Sequence, residues 1–183
     1  MKRSSRITPF IVPAAFLVCG LLLLADAPGN EALYARLQRQ APEGFLPSQP
    51  PQLYGTTERP LRDGTIFNFM DGGGIAFLEH GYREMFHAEY SGDGGLAVTL
   101  DVFSMVTADH ALTALADDRI CPAGGMPASF ATGGRVFRFP PDYYIYFPIG
   151  RHIVYLHVND DRKNALLDRF AVEIIKSVEE NLK

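Results

Sequence analysis

Five runs of the chain predict β-strands, and in the first two of them apolar residues occupy every second position, which is the spacing of a strand with one buried face. The first two runs flank a cluster of Gly and Asp at 91–95, so together they predict a β-hairpin. The runs span 83–90, 96–105, 135–139, 143–147 and 152–158. They predict a sheet of about five strands.

Four other segments repeat apolar residues every three or four positions, which is the spacing of amphipathic helices. Thr107 is placed to cap the third helix, which is expected to bury Ala111, Leu112 and Leu115. The segments span 31–40, 65–82, 108–118 and 162–182. Together with the strands they predict an α+β fold, in which helices pack on an antiparallel or mixed sheet.

Residues 7–25 carry no charge and predict an N-terminal hydrophobic helix ahead of the domain. At about 1.5 Å per residue this stretch reaches about 30 Å, the thickness of a bilayer core. A cleaved signal peptide is the alternative, because Ala25-Asp26-Ala27 matches a small-x-small cleavage site. Against cleavage, Pro28 would directly follow the cut, and few proteases accept proline there. The length favours a retained membrane anchor.

Basic residues at the N-terminus set the expected orientation. Lys2, Arg3 and Arg6 favour the cytoplasmic side, so residues from 26 onward are expected across the cytoplasmic membrane, in the periplasm or another extracytoplasmic space. The net charge of −4 leaves no basic field for nucleic acid. The expected division is 1–27 for a signal peptide or anchor, 28–64 for a short helix and a Pro-rich spacer, and 65–183 for one α+β domain.

Five prolines between residues 41 and 60 argue against regular structure there. One interpretation is an extended spacer that holds the domain away from the membrane. The other is a strap that crosses the domain and fills surface grooves with Phe45, Leu46, Leu53 and Tyr54. We expect a mixture of the two.

Three consecutive glycines interrupt the helix predicted at 65–82, in the block Asp71-Gly72-Gly73-Gly74. Each glycine costs about 0.8–1 kcal/mol relative to alanine inside a helix, so the block needs a reason. Close packing on the sheet is one reason, and a break at Asp71 is another. A third is a nest of backbone amides that, with His80 nearby, would bind a ligand. Packing or a break is the preferred interpretation, and Asp71, Gly72, Gly73, Gly74 and His80 form the candidate ligand site.

At this block the chain resembles a bacterial exported family of uncharacterised function, DUF6599. The likeness lies in the stretches 66–73 and 77–82, which correspond to the family's Asn-Gly-Gly-Ala-Glu-type stretch and its aromatic-Leu-x-Tyr-Gly-Phe ending. This chain departs from the family at Asp71, where asparagine is usual, and at Ile75, where an acidic residue is usual. The resemblance implies export and an α+β fold, and it implies no activity.

The cysteines exclude several kinds of cofactor site. Cys19 lies within the apolar N-terminal stretch, so it cannot pair with Cys121, and the count rules out a zinc knuckle, a C-x-x-C-H haem site and a disulfide framework. Cys121 is expected to be a buried thiol. We predict no cofactor.

The histidines suggest no catalytic or metal site. His152 and His157 lie five residues apart on one strand, so they point to opposite faces. His87 and Glu89 share the predicted outer face of their strand and lack a third ligand. Asp101 interrupts an apolar strand, and it is expected on a solvated face or in a pair with Arg135 or Arg138.

Aromatic rings occupy both faces of the strand predicted at 143–147. A strand with helices on one side and a ligand or partner on the other would have this composition. An ordinary core on both sides would have it as well, and it is the preferred interpretation.

These observations favour a non-catalytic domain, exported or tethered to the membrane through residues 7–25, that binds a partner protein or a small ligand. A hydrolase with a site near Asp71–Gly74 is one alternative. An accessory subunit of a membrane complex, held by the N-terminal helix, is the other.

Overall fold

The computed structural model describes residues 30–181 of the chain. The hydrophobic segment predicted at 7–25, with its alternatives of anchor or signal peptide, lies outside these residues. Five helices are described, namely α1 (Glu31–Leu37), α2 (Ile66–Met70), α3 (Gly74–Glu79), α4 (Ala108–Leu115) and α5 (Asn164–Asn181). No helix within residues 30–181 has the length and apolar character needed to cross a membrane.

Eight strands form one antiparallel sheet in the order β1-β3-β4-β8-β7-β6-β5, and β2 also pairs with β3. The strands are β1 (Leu46–Pro47), β2 (Gln52–Tyr54), β3 (Tyr82–Ser91), β4 (Ala97–Met105), β5 (Met126–Pro127), β6 (Arg135–Phe139), β7 (Asp142–Ile149) and β8 (His152–Val158). The predicted α+β class is confirmed. The predicted number of about five strands is wrong, because β1, β2 and β5 contain two or three residues and are too short to show alternation.

The five strands predicted from the sequence are all present. β3 and β4 form the predicted hairpin, with Phe86 opposite Val102 and Tyr90 opposite Val98. In the turn between them, Gly94 and Gly95 adopt φ values of 69° and 80°, which glycine reaches without strain.

The first face of the sheet carries α1 and α5. Leu33 and Leu37 of α1 are fully buried, and α5 buries the predicted apolar stripe that includes Phe170 and Ile174. Tyr90 of β3 packs edge-on against Phe170, with ring centroids 5.8 Å apart. This layer is the larger part of the core.

The second face carries α2, α3 and α4 over one end of the strands. Its core includes Met85, Phe103, Met105 and Ile153, all buried. In α4 the residues Ala111 and Leu115 are buried as predicted, but Leu112 is 53 % exposed and Ala114 is buried in its place. The buried residues Ala111, Ala114 and Leu115 therefore lie on one narrow face of α4.

The segment 41–60 packs on the sheet. β1 and β2 pair with the outer edge of β3, so Pro47 stands in an edge strand, where a missing N–H group is tolerated. Phe45 and Tyr54 are buried, whereas Leu46 is 75 % exposed. This packing supports the strap interpretation, because three of the four predicted side chains, Phe45, Leu53 and Tyr54, contact the core.

Candidate functional site

The second face of the sheet holds a row of polar and aromatic side chains that crosses five strands. Neighbouring strands place these residues directly opposite one another, so the side chains lie side by side. The row, called the transverse row below, runs through His87, Asp101, Tyr155, Tyr146 and Arg135. Phe69 of α2 lies over its first member, and α4 borders its other end.

A buried hydrogen bond joins the first two members of the transverse row. His87 Nδ1 and Asp101 Oδ1 lie 2.6 Å apart, and the two residues are 6 % and 4 % exposed. The ring of Phe69, from α2, lies over His87 with centroids 4.9 Å apart. The expectations of an exposed His87 and of Asp101 on a solvated face or paired with arginine are therefore wrong, because α2 covers this part of the sheet.

Opposing effects act on the charge of this pair. Burial lowers the pKa of His87, but the hydrogen bond and charge of Asp101, with Glu89 Oε1 3.7 Å from Nε2, outweigh it and raise the pKa above the ordinary value. Burial raises the pKa of Asp101. Both ring nitrogens of His87 thus face carboxylates, so neither is placed to accept a proton from a hydroxyl group.

Half-buried aromatic rings continue from Tyr155 and Tyr146 of the transverse row along the same face of the sheet. His157 stacks on Tyr144 with centroids 4.6 Å apart and an angle of 13° between the rings, and its Nε2 lies 2.7 Å from Asp142 Oδ1. Tyr146 and Tyr155 meet at 4.8 Å. Phe139, 60 % exposed, lies beside Tyr144 at 6.3 Å. We call these rings the aromatic patch: Phe139, Tyr144, Tyr146, Tyr155 and His157.

The strand predicted at 143–147 therefore has two different faces. Tyr143 and Phe147 are buried in the first layer, whereas Tyr144 and Tyr146 are half-buried in the aromatic patch. The preferred interpretation, a core on both sides, is confirmed in part, because Tyr144 and Tyr146 pack against the second core while each stays partly exposed.

A cleft of about 190 Å³ opens at the end of the transverse row. Leu112, Leu115 and Ala116 form its apolar wall, and Cys121, Arg135 and Tyr146 line the remainder. A larger hollow of about 600 Å³ lies at the hairpin end of the sheet. The charged groups there pair with each other, with Arg162 Nε 2.8 Å from Asp160 Oδ1 and Arg138 Nε 2.7 Å from Asp161 Oδ2.

The glycine block breaks the helix predicted at 65–82. α2 ends at Met70, a short 3-10 turn covers Asp71–Gly73, and α3 begins at Gly74. Asp71 adopts a φ of 45°, which is unusual for a residue other than glycine. Asp71, Gly72 and Gly73 are exposed, and Gly74 is buried.

His80 lies at the far end of α3, where its Nε2 is 3.0 Å from Asp117 Oδ2. Arg119 donates to both Asp117 and Glu79, with Nη2 at 2.6 Å and 2.7 Å from the two carboxylates. The hydrogen bonds from Arg119, followed by the bond to His80, lower the pKa of Asp117. His80 thus belongs to a cluster that joins α3 to the end of α4, and no bond within the described residues joins it to Asp71.

A second polar cluster is sealed inside the protein. Ser104 Oγ lies 3.0 Å from His152 Nδ1, and Asn30 Nδ2 donates to Ser104 Oγ at 2.8 Å and to Glu84 Oε1 at 2.6 Å. Ser104 and His152 are 0 % and 1 % exposed, so no substrate reaches this serine and histidine pair. Burial, with the charge of Arg151, lowers the pKa of His152 to about 4.

The other predicted features are consistent with structural roles. Cys121 is fully buried, as expected. His110 lies beside its capping residue, with Nδ1 2.8 Å from Thr107 Oγ1. Among residues 30–181, no group of three or more His, Cys, Asp or Glu side chains is arranged to hold a metal ion.

Sequence reasoning missed the transverse row and the cleft. The signal for the row was Asp101, a charged residue in an apolar strand. Considered within its own strand, Asp101 is expected to face solvent, whereas the strand register places it opposite His87. Arg135 carried no signal, because its position in the cleft depends on α4 and on the loop that holds Cys121.

Fold and site together define an α+β domain with an aromatic patch on one sheet face. No family model matches the chain, and no curated protein matches it. A solved structure, the extracellular domain of PknH from Mycobacterium tuberculosis, is 13 % identical, with 83 % of this chain and 92 % of that chain covered and a TM-score of 0.46. A similarity of this size carries no inference about function, and the resemblance to DUF6599 stays a prediction.

Proposed function

We propose that this chain is an exported or membrane-tethered domain that binds a partner outside the cytoplasm through the aromatic patch, without catalysing a reaction. The observation that carries the proposal is the patch itself. Tyr144, Tyr155 and His157 present half-buried rings on a sheet face, and Phe139 leaves 60 % of its surface exposed. Clustered aromatic rings on a surface are typical of binding sites, because they bury a large area with little loss of conformational entropy.

The bonding of the histidines supports a role without catalysis. His80, His87 and His157 each pair with an aspartate, and His110 bonds to a capping threonine. His152 is bonded to a serine, and both are sealed from solvent. A general base must reach a proton of the substrate. In this arrangement each histidine has a ring nitrogen bonded to a side chain of the protein, which is a structural role.

The extracytoplasmic address rests on the sequence. The basic residues Lys2, Arg3 and Arg6 ahead of the apolar stretch 7–25 favour export of everything that follows. The segment 7–25 would hold the domain at the membrane if it is retained. If the bound partner is another envelope protein, the domain would act as an accessory subunit of a membrane complex.

Site-specific crosslinking tests the patch directly. A photo-reactive amino acid at position 139 would be compared with one at position 176, since Lys176 is exposed on α5 and points away from the sheet. In the native organism we expect a discrete crosslinked product from position 139 and none from 176. Tyr144→Ala combined with Tyr155→Ala should remove that product while the far-ultraviolet circular dichroism is unchanged.

Two outcomes would contradict the proposal. Identical products from positions 139 and 176 would mean that the patch has no special affinity. Hydrolysis of a substrate from a broad panel, abolished by Asp71→Ala or His80→Ala in a folded protein, would favour the hydrolase alternative instead.

A further inference from the structure

The cleft beside α4 combines an apolar wall with a single arginine. Leu112 and Leu115 of α4 form the wall, and Arg135 of β6 also lines the cleft. Its volume of about 190 Å³ exceeds the roughly 150 Å³ of an engineered apolar cavity that binds benzene. The cleft is therefore large enough for a ring or a short aliphatic chain.

Arg135 has no carboxylate partner among residues 30–181. Its Nη1 donates to the carbonyl oxygen of Pro122 at 3.5 Å, and its guanidinium also bonds to the neutral Cys121 thiol. Arg138, three residues along the same strand and on the opposite face, is bonded to Asp161 at 2.7 Å. A guanidinium at an apolar surface without a counter-charge is a ready site for a carboxylate, which it binds through two parallel hydrogen bonds.

The other polar groups of the cleft are neutral. Burial raises the pKa of the Cys121 thiol, even though the charge and hydrogen bond of Arg135 act in the opposite direction. Burial, followed by the neighbouring Cys121, raises the pKa of Tyr146. Asp118 is close enough to affect Cys121, but it does not line the cleft. Arg135 thus supplies the single charge that faces the cleft.

We propose that the cleft binds a small apolar monocarboxylate, with the carboxylate on Arg135 and the apolar part against Leu112 and Leu115. The positive charge of Arg135 requires a negatively charged group on the ligand, and the apolar wall requires that the rest of the ligand be apolar. This inference goes beyond the proposed function of the aromatic patch. A failure of either test leaves the other unaffected, because crosslinking at position 139 does not depend on Arg135.

Benzoate is the probe, and the full-length protein in detergent is the sample. Two-dimensional amide NMR spectra would be recorded during titration with benzoate, benzyl alcohol and benzylamine up to about 10 mM, a range suited to millimolar affinity. We expect saturable shifts for benzoate at Leu112, Leu115, Ala116 and Gly133. Benzyl alcohol should bind at least about tenfold more weakly, and benzylamine should not bind.

Two variants of β6 separate the charge from the shape of the cleft. Arg135→Gln should weaken benzoate binding at least about tenfold, whereas Arg138→Gln should leave it unchanged.

Three results would overturn the proposal. These are the absence of saturable benzoate shifts in the cleft, equal binding of benzoate and benzyl alcohol, and unchanged affinity in a folded Arg135→Gln protein. If Arg135→Gln does not fold, the comparison of the three probes on the unaltered protein decides the question.

Discussion

Gly74 is the glycine of the 71–74 block that packs against a neighbouring side chain. A Cβ atom added at Gly74 would lie 2.9 Å from Ile66 Cγ2, closer than atoms pack in proteins. A Cβ at Gly72 would meet no heavy atom within 4 Å. The close approach of α3 to α2 therefore depends on one position of the block.

Alanine substitutions at these two positions should have different effects on stability. We expect Gly74→Ala to lower the free energy of unfolding by about 1–3 kcal/mol, because the added methyl group overfills a packed contact. Gly72→Ala should leave it unchanged or raise it by a few tenths of a kcal/mol, because alanine restricts the unfolded chain. Urea denaturation of both variants would test this. Equal destabilisation by the two variants would contradict the packing role assigned to Gly74.

His152 gives the protein a defined response to acid. Its pKa is about 4 in the folded protein, chiefly because the imidazole is buried, against 6.5 for the free side chain. Between these two values the unfolded chain binds a proton that the folded chain does not. The free energy of unfolding should therefore fall as the pH is lowered from about 6.5 to about 4, by roughly 3 kcal/mol in total.

His152→Asn removes the titrating group and leaves an amide that can bond to Ser104. The variant should lose this part of the acid dependence, even if it is less stable at neutral pH. Denaturation between pH 4 and pH 7, together with NMR titration of the His152 ring, provides the measurement. The same slope in both proteins would mean that other groups cause the acid sensitivity.

At the residue scale, the sequence located the unusual positions but not their partners. Asp101 and the glycine block both stood out, because each contradicts the local pattern of its strand or helix. The partner of Asp101 depends on which strands are neighbours and in what register, and a single strand carries no such information. The role of Arg135 depends in the same way on α4, which covers it from another part of the chain.

The strap formed by residues 41–60 illustrates what can be predicted at the scale of elements. Its prolines argued against regular structure, yet two short strands form there, and its few apolar residues indicated packing. Strands of two or three residues form because β3 offers a free edge, not because of their own composition. Long periodic elements were therefore predictable, and these short ones were not.

Adjacent residues of the strap provide a matched pair of variants. Phe45 is 6 % exposed and its ring lies against Gly92, whereas Leu46 is 75 % exposed. Phe45→Ala should lower the free energy of unfolding by about 3 kcal/mol, the usual cost of a buried aromatic ring, and Leu46→Ala should change it by less than about 0.5 kcal/mol.

Thermal and urea denaturation of both proteins would give the two values. If Phe45→Ala were as mild as Leu46→Ala, the segment would be a spacer that contributes nothing to the stability of the domain. The fluorescence of tyrosine could monitor unfolding in both cases, because the chain contains eight Tyr and no Trp.

At the scale of the whole molecule, the packing of α1 limits how far a tethered domain stands from the membrane. Asn30 is 3 % exposed and is fixed by hydrogen bonds to Glu84, Ser104 and Arg151. Only residues 26–29 separate it from the end of the apolar stretch at Ala25. At about 3.5 Å per residue, that connection spans at most about 17 Å. The Pro-rich segment adds nothing to this reach, because it follows α1 and packs on the sheet.

Retention of the N-terminal segment and its cleavage predict different mature proteins. We expect the intact mass of the protein from its native organism to include residues 1–27, and the protein to leave the membrane fraction with detergent but not with high salt. A soluble product that begins at Pro28 would contradict this. Such a product would still contain Asn30 and its hydrogen bonds, so the domain would keep its fold. The measurement therefore decides where the aromatic patch acts. In the retained protein the domain begins within about 17 Å of the membrane, so the patch lies no farther away than that distance plus the width of the domain, whereas in the cleaved protein the distance is not limited.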